Sequence, residues 1–443
     1  MEELMEYAIK RLKEKDIYGD IYLENIIKTE VVVNDLEVEK FTKSNTICGN
    51  VRVFDKGKMG FCYFSGRDKN IIDNAILKAK NSTLVNGYEK YILNGKKNKD
   101  KLNICDNSFK DINDDDRKNM ALYLERAVMD NTCIKMARDT NYTDSLERIF
   151  YANSEGLEDH SEKTRFFLYT SAIAENNGSR EISESFEISS RMKDIDIEKM
   201  GKECALKARN LLNGKPIKSG KYKIMLAPEI ACDLVYLLSK LFLGDNIVKG
   251  KSLLASKKPG DIIGAKVLNI KDDALLDFKT GSFLTDAEGE PGRNKLVVES
   301  GILKTFLFDK SSAILYNLNT TGNSIRTNFK FLPECGVSNF YIDKGRESHT
   351  NVTANFSGIL VNSLMGLHMA DTVSGNFSLA FNGWSIEKGE KTKAIKESLI
   401  IGNLKEILDK IIVICDNLKF YGNFGSPTIV IDDVEAAGDK NVL

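Results

Sequence analysis

Residues 358–389 read GILVNSLMGLHMADTVSGNFSLAFNGWSIEKG. An apolar run, Ile359 to Met365, enters a glycine-rich turn, after which Phe377, Leu379 and Phe381 alternate with small or polar residues. Alternation with a period of two marks a half-buried strand. The pattern predicts two sheet strands joined by a tight loop. Glycines at such strand ends, Gly366 and Gly375 among them, let backbone or a bound extended peptide come close without a Cβ in the way. The stretch holds the only tryptophan, Trp384, and one of three histidines, His368, with His349 just before it.

The same reading extends to the rest of the chain. Leu4, Met5, Ala8, Ile9 and Leu12 mark one face of a first helix. Strand patterns follow at Ile21-Leu23, Val31-Val33, Val38-Phe41, Val51-Phe54 and Phe61-Phe64, with turn residues at Asn34-Asp35, Ser44-Asn45 and Asp55 to Lys58. Intervals this short imply antiparallel hairpins, because parallel strands need long crossovers. Helices are expected near Asn70-Lys80 and Arg117-Met129, then strands at Thr132-Thr140, Leu146-Tyr151 and Thr164-Ala174, the last ending in the hairpin signal Asn176-Asn177-Gly178. A long amphipathic helix stops at Gly214, with Pro216 beyond it. Pro228 suits the first turn of a helix running to Phe242. Many short strands and turns then lead to a helix near Gly402-Ile412 and a last strand, Thr428-Ile431.

The expected class is α+β, with a helix-plus-antiparallel-sheet N-terminal part and a large β-rich C-terminal domain. The polar stretch from Asn94 to Asp116 reads as a connection, which divides the chain into 1–105, 106–215 and 216–443. A net charge of -1 gives no basic excess to drive nucleic-acid binding, and Lys96, Lys97, Lys99 and Lys101 read as a solvated loop. No run of about 18 apolar residues predicts a membrane span. The N-terminus is a charged amphipathic helix rather than a signal peptide. Eight cysteines without C-x-x-C spacing suit a reducing cytoplasm.

Catalytic patterns are sparse. His160, His349 and His368 lie far apart, with no H-E-x-x-H, phosphate-binding loop or G-x-S-x-G. A Cys/His nucleophilic pair would have to meet in the fold, and nothing in the sequence marks out one cysteine. Asp286, Glu288 and Glu290 flank a turn and read as solvated. Asp371, beside the glycine-rich loop, is the better candidate for a role, against the plainer reading of a turn residue.

Five motifs, in order, resemble the TldD/PmbA family. They are Val51-Arg52-Val53-Phe54 with Lys58 to Phe61, Asp286 to Arg293 with Leu296 to Leu303, Thr321 to Arg326, Asp371 with Ser374 to Ser378, and Ile400 to Leu404. The resemblance spans nearly the whole chain and implies a part in cytoplasmic proteolysis. In one branch the helix opening the third domain carries H-E-x-x-x-H and binds zinc, with a cysteine near the C-terminus as a further ligand. Here the corresponding helix, Pro228 to Phe242, has no histidine, and Tyr236, Leu237 and Leu241 fall where the motif would lie. Leu418 to Ser426 has no cysteine. The chain therefore resembles the metal-free, TldE-like branch, which implies no cofactor and no catalytic residue of its own.

By that resemblance the expected role is a non-catalytic subunit beside a zinc-containing TldD-like partner. It would hold extended peptides at Arg326, Asn328, Gly366, Asp371, Ser374, Gly375 and Asn376. A peptide-binding or regulatory homodimer related to gyrase modulation is the alternative. A peptidase with unrecognised catalytic residues is the third.

Overall fold

The structure, a computed structural model, describes residues 2–82, 85–87, 90–95, 97–98 and 100–438. Lys96 and Lys99 lie outside the described residues, while Lys97 stands 3.8 Å from Asp159. Helix α1 (Glu2–Glu14) buries the predicted Leu4, Met5, Ala8, Ile9 and Leu12 face. Strands β1 (Gly19–Asn34), β2 (Glu37–Asp55) and β3 (Lys58–Ser65) follow, then α2 (Lys69–Asn81) and a short β4 (Val85–Asn86). Lys56 and Gly57 take φ of 48° and 75°, the left-handed pair that suits a two-residue hairpin turn. The turn expected at Ser44-Asn45 does not form. Both residues sit inside an unbroken ladder, opposite Lys28 and Ile27, and continuous pairing outweighs their local turn preference.

Helix α3 (Asp114–Met129) precedes three long strands, β5 (Ile134–Asn153), β6 (Glu158–Asn176) and β7 (Ser179–Ser189). A capping box between Asn113 and Asp116 starts α3. The β6–β7 turn is the predicted Asn177-Gly178, with φ of 48° and 82°. All seven strands form one antiparallel sheet in the order β4-β3-β2-β1-β5-β6-β7. β1 pairs with β5 from Asp20↔Asn153 to Val33↔Thr140, so the sheet runs across residue 105 and the first two units share it. Helix α4 (Ile197–Leu211) packs beside α3 on one face, and its left-handed end residue is Asn213 (φ 62°) rather than the expected Gly214.

The third unit begins with β8 (Gly220–Leu226) and α5 (Pro228–Ser239), with Pro228 in the first turn as expected. One six-stranded sheet comprises β9 (Ile270–Asp273), β10 (Asn294–Glu299), β11 (Ile302–Leu303), β14 (Asn339–Ile342), β19 (Lys419–Tyr421) and β20 (Phe424–Ser426). A two-stranded ribbon, β12 (Ser324–Ile325) with β13 (Glu334–Cys335), stands apart from it. The other six-stranded sheet runs β17-β16-β15-β8-β21-β18, from β15 (Gly358–Met365), β16 (Asn376–Glu387), β17 (Glu390–Asn403), β18 (Ile411–Ile414) and β21 (Ile429–Ala437). β17 also pairs with β21, which closes this sheet into a barrel. The opening sequence stretch is its β15–β16 hairpin, and Phe377, Leu379 and Phe381 point into the core as the alternation predicts. The whole is α+β.

The acidic turn expected to be solvated is buried. Asp286 and Glu288 are 4% and 1% exposed, and Glu290 pairs with Lys310 at 2.8 Å. Glu288 accepts from Arg52 at 3.4 Å, Tyr91 at 2.8 Å and the Lys310 amide at 2.9 Å. Arg52 also holds Asp20 through two hydrogen bonds, of 3.0 and 2.5 Å. This junction joins the first sheet to the third unit. The correction has a simple cause: the partners of the acidic turn come from residues far away in sequence.

Candidate functional site

A cleft beside α5 follows from that helix's two faces. Ile230, Leu234, Leu237, Leu238 and the following Leu241 are buried in the third unit's core. Each such side chain contributes roughly 1.5–3 kcal/mol relative to exposure. The opposite face carries Glu229, Asp233 and Tyr236, spaced i, i+4, i+7, so that they line one side together. They open on a cavity of about 560 Å³. Its far wall is β7, which ends the seven-stranded sheet and pairs with β6 alone. Ile182 and Phe186 of β7 are 57% and 41% exposed along this wall. A free strand edge with exposed apolar side chains is a template for another strand.

The electrostatics of the cleft are uneven. Glu229 pairs with Lys207 at 2.6 Å. Asp233 forms no ion pair among the described residues, and burial, aided by the Glu229 charge, pushes its carboxyl up to about 7. Burial and Glu229 likewise push Glu187 up to about 7. The Cys232 thiol hydrogen-bonds to the Phe424 carbonyl at 3.5 Å, and burial raises it to about 12. Tyr236 meets the Phe424 ring edge-on at 5.4 Å, with the Lys240 ammonium 4.3 Å from the Tyr236 ring centre.

These donors do not suit zinc. The cleft face of α5 has no imidazole, its one thiol is buried and hydrogen-bonded to the Phe424 carbonyl, and Glu229 is held by Lys207. Zinc ligands must be deprotonated and free to coordinate. Among the described residues, no three or more His, Cys, Asp or Glu side chains come together to hold a metal ion. Of the positions that the family resemblance sets against the zinc motif, Tyr236 opens into the cleft, whereas Leu237 and Leu241 are 1% and 0% exposed.

The seven peptide-binding residues expected from the sequence fall into two groups. Asp371, Ser374, Gly375 and Asn376 build the β15–β16 loop themselves. The Asp371 carboxylate accepts from the Val373 amide and the Ser374 hydroxyl, and Asn403 donates to the Ser374 carbonyl and the Asn376 side chain. Gly366, at φ 83°, starts the turn next to Met365, which lines the cleft. Arg326 lies elsewhere, in the wall of a second cavity between the seven-stranded sheet and the third unit, donating to Asn50, Ala287 and Phe331. Asn328 closes a local turn by accepting from the Lys330 amide. Sequence reading missed β7, Lys207, Asp233 and Phe424. The i, i+4, i+7 spacing of Glu229, Asp233 and Tyr236 was the available signal for α5, and the Asn177-Gly178 turn announced a strand after it, but nothing local placed that strand opposite α5.

Barrel, junction and cleft together define a three-part α+β scaffold. Models of the PmbA/TldA metallopeptidase domain 1, central domain and C-terminal domain match residues 19–82, 107–212 and 219–438. The chain belongs to the PmbA/TldD family. It is 26% identical to a metalloprotease of Methanocaldococcus jannaschii over 91% of this chain and 90% of that one. It is 24% identical to the metalloprotease TldD homolog of Buchnera aphidicola, over 92% and 87%. Among solved structures, TldE from Thermococcus kodakarensis superposes with a TM-score of 0.87 at 22% identity, over 98% of this chain and all (100%) of that one. A Thermotoga maritima protein described as a candidate modulator of a DNA gyrase gives 0.90 at 23% identity, over 98% and 100%. No helix among the described residues is long and apolar enough to cross a membrane.

Proposed function

We propose that this chain is the zinc-free subunit of a two-part metallopeptidase, holding an extended peptide while a zinc-bearing relative hydrolyses it. The observation that carries the reading is the α5 face: Glu229 tied to Lys207, a buried thiol bonded to the Phe424 carbonyl, Asp233 and Tyr236, with no imidazole among them. Zinc hydrolysis needs three protein ligands and an open position for water, and this face supplies neither. Peptide binding is supported by the β7 edge, where main-chain hydrogen bonds supply affinity with little sequence preference. Exposed Ile182 and Phe186 would take the apolar side chains of the added strand. The test is cleavage of an unfolded protein by the purified chain, alone and mixed with a zinc-bearing relative from the same cell. The reading predicts hydrolysis only in the mixture. Chelator-sensitive hydrolysis by the chain alone contradicts it.

A further inference from the structure

A second cavity, of about 390 Å³, lies between the seven-stranded sheet and the third unit. Three cationic side chains line it: Lys163 and Arg165 from β6, and Arg326 just after β12. Neither Lys163 nor Arg326 forms an ion pair among the described residues. The Lys163 ammonium donates only to the Thr280 carbonyl, at 2.6 Å, and Arg326 donates to two carbonyls and the Asn50 amide oxygen. Arg165 has a single carboxylate, Glu147, at 3.9 Å. Two acids also face the cavity. Asp159 stands 3.8 Å from Lys97, and Asp286 spends its oxygens on the amides of Glu288, Glu290 and Ser324.

Lys163 and Arg326 without a carboxylate partner among the described residues, and Arg165 with one only at 3.9 Å, leave this space under-neutralised, which suits an anion. Burial pushes the Lys163 ammonium down to about 8, helped by the Arg165 charge, and a bound anion would relieve both effects.

The cavity's position selects the anion. Phe186 lines the α5 cleft, and Ile188, two residues further along the same strand, lines this cavity. The tip of the β19–β20 hairpin separates the openings in the same way, with Tyr421 and Phe424 on the cleft side and Gly422 and Asn423 on the other. β7 ends at Ser189, opposite Phe166 of β6. Beyond that end, Arg165 and Lys163 come next on the same face of β6. A strand laid along β7 in the parallel direction would run its C-terminal end toward these two cations.

We infer that the cavity receives the terminal carboxylate of the peptide held along β7. This rests on the peptide-binding reading above. The test measures binding of a labelled peptide of alternating apolar and polar residues to the full chain, with either a free carboxylate or a carboxamide at its C-terminus. It compares the natural chain with Lys163→Gln/Arg165→Gln, and competes the acid peptide with acetate and with inorganic phosphate. The acid should bind about tenfold tighter than the amide. That ratio should fall to about one in the variant, whose unchanged affinity for the amide shows that the fold and the β7 edge are intact. Equal binding of acid and amide by the natural chain overturns the carboxylate assignment and leaves the peptide reading standing. Binding of neither peptide overturns both. Displacement by phosphate but not by acetate would assign the cavity to a free phosphate instead and overturn the inference.

Discussion

The junction at Arg52 and the cleft along α5 both bring carboxyl groups together, and they treat them in opposite ways. At the junction, Asp20 and Glu288 are each 1% exposed and each meets the Arg52 guanidinium, with Tyr151 and Tyr91 donating to them as well. Along α5, Asp233 is half-buried near a second acid, Glu229, and no cation among the described residues pairs with it. Burial with full partnership makes a strut: its charges are satisfied and have nothing left to offer a ligand. Burial without partnership leaves a carboxyl that keeps its proton near neutral pH. The cleft is thus the place where incoming hydrogen bonds change something.

The comparison breaks most visibly at Arg52. Arg52→Leu strands Asp20 and Glu288 in the interior, and unfolding by denaturant should show a loss of about 3–5 kcal/mol. Tyr91→Phe removes one donor from Glu288 while keeping the ring stacked on Phe54 at 4.6 Å, and should cost about 1–2 kcal/mol in the same measurement. In the cleft the effects are smaller. Lys207→Met breaks a pair whose members are 26% and 28% exposed, and should cost less than about 1 kcal/mol. It should also push the Asp233 carboxyl higher, because Lys207 opposes that rise, and this can be read from carboxyl titration by NMR.

The finest contrast is in pH dependence. Asp233 titrates near 7 when folded, above the roughly 3.9 of an unfolded aspartate. Between those values the folded chain holds a proton that the unfolded chain has released, so this group makes stability fall as pH rises. Asp233→Asn removes that contribution. Thermal melting should show the variant gaining on the natural chain at about pH 8 and matching it near pH 4. A loss at about pH 8 instead would mean that Asp233 is a paired carboxylate like those at the junction.

How much of this was legible in the sequence depended on how local the cause was. The alternation of Phe377, Leu379 and Phe381, the Asn177-Gly178 turn and Pro228 at the start of α5 are decided within a few residues, and each appears where the pattern puts it. The lack of imidazole on α5 is equally plain, since an absent residue type needs no geometry to be read. The shared sheet was not legible, because β1 finds β5 across more than a hundred residues, as in Asp20↔Asn153. Asp286 and Glu288 looked solvated because Arg52 lies 236 residues from Glu288. The cleft combines β7 with α5 and Phe424, and only the folded chain brings them together. Arg326 was singled out by its motif, but its surroundings, with Lys163 and Arg165 lining the same cavity, belong to the assembled molecule.

The central claim is that the α5 face cannot hold zinc. Its most direct test is the metal content of the natural chain after incubation with excess zinc and removal of the unbound ion. The account predicts substoichiometric zinc, unchanged by Asp233→Asn. Stoichiometric zinc that is lost in Asp233→Asn would contradict it.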